Sequence, residues 1–304
     1  MWILPQHHQQ IERFNMLISM LEKSDSNLLW DIRNWFISRL ESNGKYNWRQ
    51  SSDTTSAWNH NIDEAFFYGL IYKFNKKVFV SEYWKILHKV WNNPKERWIV
   101  FLYSLFNIQF YHPAKKSVEA KLYPFRILFY LLLDVRIERR ISCPEMYFLY
   151  QLDCLSDNQD YEELVRKILH FRDSNLEIKE YFKWFESDFV KCQCSASYCL
   201  WILRNFWIFV NSKELIKDDN QYIVSPNRRD ATPVNMSYIS LNLDFLSVIA
   251  ELIDKYSIYE IPRSNPIPSD LISEIFNFFD DDLYYHLSIE KEKNTLLADE
   301  IYEY

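Results

Sequence analysis

A mostly α-helical fold with small β-hairpins is what this sequence predicts, and three observations carry the expectation. Apolar residues recur at helical spacing in segment after segment. Short β-prone runs appear in two places, each following a helix and broken by a polar turn. Glycine is nearly absent, with only Gly44 and Gly69 in 304 residues, where average usage of ~7% would supply about 21.

The elements follow in order. Ile11, Phe14, Leu17, Ile18 and Leu21 form one stripe of an amphipathic helix over 9–23, and a second helix is expected from Asn27 to Leu40. A polar stretch, ESNGKYNWRQSSDTTS, then breaks every period. Next come a helix ending near Gly69, an apolar strand from Leu70 to Phe74, a turn at Asn75-Lys76-Lys77 and a strand from Val78 to Val80. Ser81 offers an N-cap to a helix carrying Tyr83, Ile86, Leu87 and Val90. A helix followed directly by a hairpin is how a winged helix ends, and Lys76 and Lys77 mark the tip that would meet phosphate.

An aromatic helix is expected over 97–110, and a loop with Lys115, Lys116 and Lys121 follows. Pro124 suits the first turn of the next helix because its φ is already helical. The run FRILFYLLLDV in that helix is apolar almost all round, which marks a buried helix. Ser142-Cys143-Pro144-Glu145 matches the capping box and opens a helix through Met146, Leu149 and Leu152. Tyr161, Leu164, Val165, Ile168 and Phe171 share one face of a helix over 160–171, and another helix is expected from Ile178 to Val190.

The helix–hairpin pattern then recurs. A helix from Cys194 through Phe206 precedes Ile208 to Val210, and Leu215-Ile216, an Asp218-Asp219-Asn220 turn and Tyr222 to Val224 read as a hairpin ended by Pro226. A further amphipathic helix is expected over Met236–Tyr256, followed by a three-proline linker and an acidic helical segment. The whole reads as an array of winged-helix-like subdomains plus C-terminal helices. Its expected divisions are 1–112 (helical/winged-helix), 113–235 (a second such domain) and 236–304 (C-terminal helix, linker and acidic tail).

Composition excludes several functions. Phosphate-binding loops, dinucleotide fingerprints, the nucleophile elbow and the glycine-rich kinase loop all need clustered glycines, and two glycines 25 positions apart cannot build them. The longest uncharged apolar run, Ile127 to Leu133, is far below the ~18 residues of a membrane span, and the N-terminal stretch carries no secretion signal. Five cysteines, Cys143, Cys154, Cys192, Cys194 and Cys199, suit reduced thiols in a cytoplasmic protein. The net charge of −7 divides unevenly: Asp244 to Tyr304 holds 14 acidic and 4 basic residues, and the first 243 hold 28 acidic and 31 basic, a balance of +3. A mildly basic body thus carries an acidic tail.

Five stretches resemble, in order, the DNA-recognition region of AlwI-like type IIS restriction and nicking endonucleases: AFFYGLIYKFNKKVFVSEYWKIL, WIVFLYSLFNIQFYHP, LYPFRILFYLLLDV, EELVRKILHFRD and the helix–hairpin ending in QYIVSP. They cover roughly 60–226. The resemblance implies winged-helix subdomains that wrap double-stranded DNA and read a short asymmetric site. In that family a PD-(D/E)xK nuclease domain follows, and this chain stops near where it would begin. The resemblance therefore implies a recognition subunit of a bacterial restriction-type or other anti-phage complex, with cutting on another subunit or lost altogether.

No complete catalytic constellation is legible, and no metal or cofactor is expected. Glu119-Ala120-Lys121 and Glu177-Ile178-Lys179 match only the bare E-x-K tripeptide and lack a preceding Pro-Asp. Asp280-Asp281-Asp282 lacks calcium-loop spacing, and Cys192, Cys194 and Cys199 lack the fourth ligand of a structural zinc site. His7 and His8 read as solvent-exposed. The DNA-binding candidates are Lys76, Lys77, Lys115, Lys116, Lys121, Arg136, Arg139, Arg140, Arg204, Asn205, Arg228 and Arg229. Arginine and asparagine suit base edges, and lysine neutralises phosphate. A solvated helix face accounts for any one of them singly. The expected partners are double-stranded DNA and a protein subunit carrying nuclease or ATPase activity. The alternative is an adaptor bridging an SMC-like ATPase complex, which the acidic net charge favours.

Overall fold

The computed structural model describes residues 12–23, 68–74, 77–108, 121–142, 144–174, 206–212, 222–224, 231–233 and 238–261, with single positions at 38, 62, 65, 176 and 181. The described residues are rich in helix, with short antiparallel strands. The chain divides into two compact units, residues 7–108 with 264–304, and residues 1–6 with 109–263.

In the first unit, helix α1 (Glu12–Lys23) buries Phe14, Leu17, Ile18 and Leu21 of the expected stripe and also Met20, while Ile11 lies outside the described residues. Gly69 has a φ of 69°. Leu70 N–H reaches back to the Ala65 carbonyl at 2.8 Å, so Gly69 holds the left-handed position that ends a helix at no steric cost. Strands β1 (Ile71–Phe74) and β2 (Lys77–Val80) form an antiparallel hairpin with Phe74 opposite Lys77. The hairpin agrees with expectation except that β1 begins at Ile71 and not at Leu70, and that Lys77 belongs to β2 and not to the turn.

Ser81 joins the hairpin to helix α2 (Glu82–Lys89). Its buried hydroxyl donates to the Gly69 carbonyl at 2.6 Å and accepts from Trp84 N–H at 3.1 Å. One side chain thus caps α2 and ties it to the preceding helix end. Helix α3 (Pro94–Asn107) starts with Pro94 in its first turn and Asn93 as cap, and every residue from Trp98 to Asn107 is buried. Phe101 packs against Tyr68 and Trp98, and Tyr68 against Phe14.

In the second unit, helix α4 (Pro124–Leu133) is the buried helix that its composition requires. It packs on a three-stranded sheet of β3 (Arg140–Ser142), β4 (Phe209–Ser212) and β7 (Tyr238–Leu241), with β7 in the centre and antiparallel to both neighbours. Phe129 stacks on Phe209 with ring centroids 5.6 Å apart. Helices α5 (Met146–Tyr150) and α6 (Asn158–Asp173) follow β3, and α6 buries the five residues its period assigns. A separate pair, β5 (Tyr222–Val224) and β6 (Ala231–Pro233), is also antiparallel.

Three expectations are corrected here. Tyr222–Val224 is a strand, and the partner it has among the described residues is 231–233, beyond the proline that was expected to end the hairpin; Leu215-Ile216 and the turn at 218–220 lie outside the described residues. The helix expected over Met236–Tyr256 begins only at Leu246: helix α7 (Leu246–Lys255) is preceded by β7 and a short 3₁₀ turn (Leu243–Phe245). Period-two burial in β7, where Ile239 and Leu241 are buried and Tyr238 and Ser240 half-buried, is the strand signature. Ser142 and Glu145 form half a capping box. Ser142 N–H donates to Glu145 Oε2 at 2.7 Å, but the helix that follows ends at Tyr150.

The helices expected over 27–40, 178–190 and 194–206 lie largely or wholly outside the described residues, as does the acidic segment beyond 261.

Candidate nucleic-acid interface

The arginines between α4 and β3 lie on a turn with unusual backbone. Asp134 caps the 3₁₀ turn Val135–Ile137, accepting from Arg136 N–H at 2.9 Å. Glu138 and Arg139 then both take positive φ, 57° and 53°, an uncommon pair for residues with a Cβ. The reversal sends the chain into β3.

Arg136 is tied within the fold. Its Nη2 and Nε meet the Asp134 carboxylate at 2.6 and 3.0 Å, and its Nη1 meets Glu162 at 2.5 Å. Tyr161 donates to the same Asp134 carboxylate at 3.0 Å. Burial alone would raise the Asp134 carboxyl, but the hydrogen bonds from Arg136 and Tyr161 outweigh it and hold the group below its ordinary value. Tyr161 is pushed up by burial first and by the Asp134 charge second.

Arg140 pairs with Glu138 and lies over the Tyr238 ring, 4.5 Å from its centroid. Arg139 is exposed and forms no side-chain ion pair among the described residues. Lys121 is also exposed, its backbone bridging to Cys154 beside α5. Sequence proximity thus does bring Arg136, Arg139 and Arg140 onto one turn. The fold occupies two of these charges with its own carboxylates and presents the third to solvent.

The remaining candidates have less structure to report. Lys77 opens β2. Lys76, Lys115, Lys116, Arg204, Asn205, Arg228 and Arg229 lie outside the described residues, together with the Glu177 tripeptide, Asp280–Asp282, His7, His8 and the three clustered cysteines.

Two arginines that the sequence reading passed over organise the second unit. Arg126 is 1% exposed within α4, where it donates to the Ser257 carbonyl at 2.9 Å and Glu260 at 2.6 Å and lies 3.6 Å from the Tyr123 ring centroid. A lone charge in an otherwise apolar run was the available signal, because such a charge must find partners when it is buried. Arg172, in the last turn of α6, donates through Nε to the fully buried Glu145 at 2.6 Å and through Nη1 and Nη2 to the carbonyls of Ile137 and Arg140 at 2.6 and 2.7 Å. It therefore pins the arginine turn and β3 to α6.

The first unit holds a different arrangement of charge. On α2, Lys85, His88 and Lys89 follow one another at helical spacing on the side away from buried Tyr83, Ile86 and Leu87. The turn beyond exposes Asn92, Asn93 and Lys95. Arg97 is set against the same turn: its Nη1 donates to the Trp91 carbonyl at 3.3 Å, and its guanidinium carbon lies 5.1 and 5.2 Å from the Trp91 and Trp98 ring centroids. None of these positions was singled out from sequence.

Among the described residues, no group of three or more histidine, cysteine, aspartate or glutamate side chains is placed to hold a metal ion. No helix among them is long and apolar enough to cross a membrane.

A helix-rich chain with short antiparallel strands and a solvent-facing basic surface defines a class that comparison with known proteins makes specific. Residues 1–256 match the family model of the N-terminal domain of type II restriction endonuclease HgaI, and the chain belongs to that family. It is 25% identical over 299 residues to the type II restriction enzyme HgaI of Avibacterium volantium, an alignment covering 91% of this chain and 60% of that enzyme. The chain thus spans somewhat under two thirds of the length of the relative it matches. The expected kinship with type II restriction enzymes stands at this level, with the HgaI N-terminal domain as the family matched.

Proposed function

We propose that this protein acts in restriction-type defence, with residues 1–256 forming its sequence-reading, double-stranded DNA-binding region and strand cleavage carried out elsewhere, on this or another chain. The match to a restriction endonuclease's N-terminal domain over those residues is the observation that carries the reading. The ordered likeness of 60–226 to the AlwI-like recognition region supports it, as does the helix–hairpin of the first unit, which we read as a wing. Where cleavage lies on another chain, the protein subunit expected as a partner is the one that cuts; Arg139 and Lys121 are DNA contacts on the second unit because neither charge has an ion-pair partner among the described residues.

The test is selection of bound duplexes from a randomised pool by the full chain, followed by affinity measurement over a salt series. Enrichment of one short asymmetric motif, bound with an affinity that falls linearly in log–log form as salt rises, is the expected result. Recovery of no motif, or an affinity indifferent to salt, would overturn the reading, because neutralising phosphates must release counterions.

A further inference from the structure

We infer that the turn from Asp134 to Arg140 is a rigid base-reading finger, with Arg139 as the residue that discriminates a G·C pair in the duplex. The inference rests on the DNA-binding reading above and adds how Arg139 is used: to read a base edge, not to neutralise phosphate.

Arg139 occupies a costly position. It and Glu138 both lie in the left-handed region, at φ 53° and 57°, where a Cβ crowds the following carbonyl and where glycine or asparagine ordinarily stands. Glu138 is offset by its ion pair with Arg140. Arg139 has no such return: its side chain is exposed and makes no hydrogen bond or ion pair among the described residues. Folding therefore accounts for the backbone at 139 and not for the arginine on it. Strain of this kind, imposed on one residue by its surroundings, gathers at ligand-contacting positions.

The backbone beneath it is held from several sides. Arg139 N–H donates to the Asp134 carbonyl at 3.1 Å, and Glu138 N–H donates to the Val135 carbonyl at 3.1 Å. Arg172 grips the carbonyls of Ile137 and Arg140, on either side of the strained pair. Arg136 and Tyr161 fix the Asp134 carboxylate. A side chain carried on a backbone already fixed in place gives up less freedom on binding, which suits a directional contact.

Local charge then decides the mode of contact. Residues 134–140 hold three arginines and two acids, and Glu162, which meets Arg136, brings the set to neutrality. A neutral surface has no net pull on a phosphate chain. What it offers is one guanidinium with no partner in the fold, whose planar fork of donors matches the O6 and N7 acceptors of guanine. Val135, on the same turn, is 67% exposed, an apolar residue suited to a thymine methyl and not to a phosphate.

The experiment compares the full chain with Arg139→Lys, which keeps the charge and removes the fork, and with Arg139→Gly, which removes both and accepts the positive φ. Binding is measured by fluorescence anisotropy to the selected duplex and to a scrambled one over a salt series, and each variant is put through the same selection. On the selected duplex Arg139→Lys should bind roughly 5- to 150-fold more weakly, the range for one bidentate base contact. Its affinity for the scrambled duplex and its salt slope should not change, and its motif should lose preference at a single G·C position. Arg139→Gly should show the same relaxed position and melt no lower than the parent, because glycine takes a positive φ without strain.

A lysine variant that matches the parent on both duplexes, beside a glycine variant weakened equally on both, signals a phosphate contact and overturns this inference. Variants that select the parent's motif unchanged also overturn it, as does a glycine variant that melts well below the parent, since the arginine then serves the fold. Each of these leaves the DNA-binding reading intact. A parent that yields no motif and binds no duplex at any salt overturns both.

Discussion

Replacing Arg172 with methionine tests whether one side chain holds the second unit's arginine turn in place. The substitution preserves much of the aliphatic stem and removes the guanidinium. Lost with it are contacts to Glu145 at 2.6 and 3.2 Å and to the Ile137 and Arg140 carbonyls at 2.6 and 2.7 Å. Glu145, 0% exposed in its side chain, then keeps only the Ser142 N–H among the described residues. An uncompensated buried charge of this kind costs about 3–5 kcal/mol, a large part of the ~5–15 kcal/mol that ordinarily holds a domain together.

Urea unfolding at neutral pH, followed by far-ultraviolet circular dichroism, measures the loss. The second arm combines Arg172→Met with Glu145→Leu, which removes both charges. Because the penalty comes from the orphaned carboxylate, the double variant should be about 1–3 kcal/mol more stable than Arg172→Met alone. A single variant that loses less than ~1 kcal/mol, or a double variant no more stable than the single, would refute the argument that this pair is desolvated and mutually dependent.

Other outcomes follow from the same structure. Asp134→Asn should cost about 1–2 kcal/mol at neutral pH, because hydrogen bonds from Arg136 and Tyr161 stabilise the ionised form. With the folded carboxyl below its ordinary value near 4, that stability is fully present above the unfolded value and disappears as pH falls through the folded one. The gap between parent and variant, read from denaturant midpoints at pH 7, 5 and 3, should therefore close at the acid end. Gly69→Ala, placed at φ 69°, should lower stability by roughly 1 kcal/mol in a thermal melt, since a Cβ is strained there. Ser81→Ala removes the cap of α2 and the bond to the Gly69 carbonyl and should cost about 1–2 kcal/mol. Equal stability of parent and variant in the same melt would contradict both of these local assignments.

Much of the fold was legible wherever its cause is local. The stripe of α1, the five buried positions of α6, the proline start of α4, the Ser81 cap and the β1–β2 hairpin all arise from interactions spanning a few residues, and periodicity or capping chemistry displays them directly. The sheet of the second unit was not legible in this way. Its strands come from near 140, 210 and 240, and each is three or four residues long. Tyr238–Leu241 read as part of a helix because its neighbours to the C-terminal side are helical and apolar. Only pairing with β3 and β4 on its two sides makes it a strand.

The candidate interface divides along the same line. Sequence alone determined the residue types available for DNA contact and their excess in the first 243 residues, because charge counts do not depend on the fold. Which charges face solvent was decided by tertiary structure. Arg136 and Arg140 meet Asp134, Glu162 and Glu138, and Arg126 and Arg172 are drawn inward to carboxylates and backbone carbonyls contributed from up to 134 positions away. Burying a cation demands such partners, and they are brought to it by packing, not by proximity along the chain. Lys85, His88, Lys89 and Lys95 carry no motif at all. They form a surface because the hydrophobic faces of α2 and α3 turn inward and leave these four on the outside.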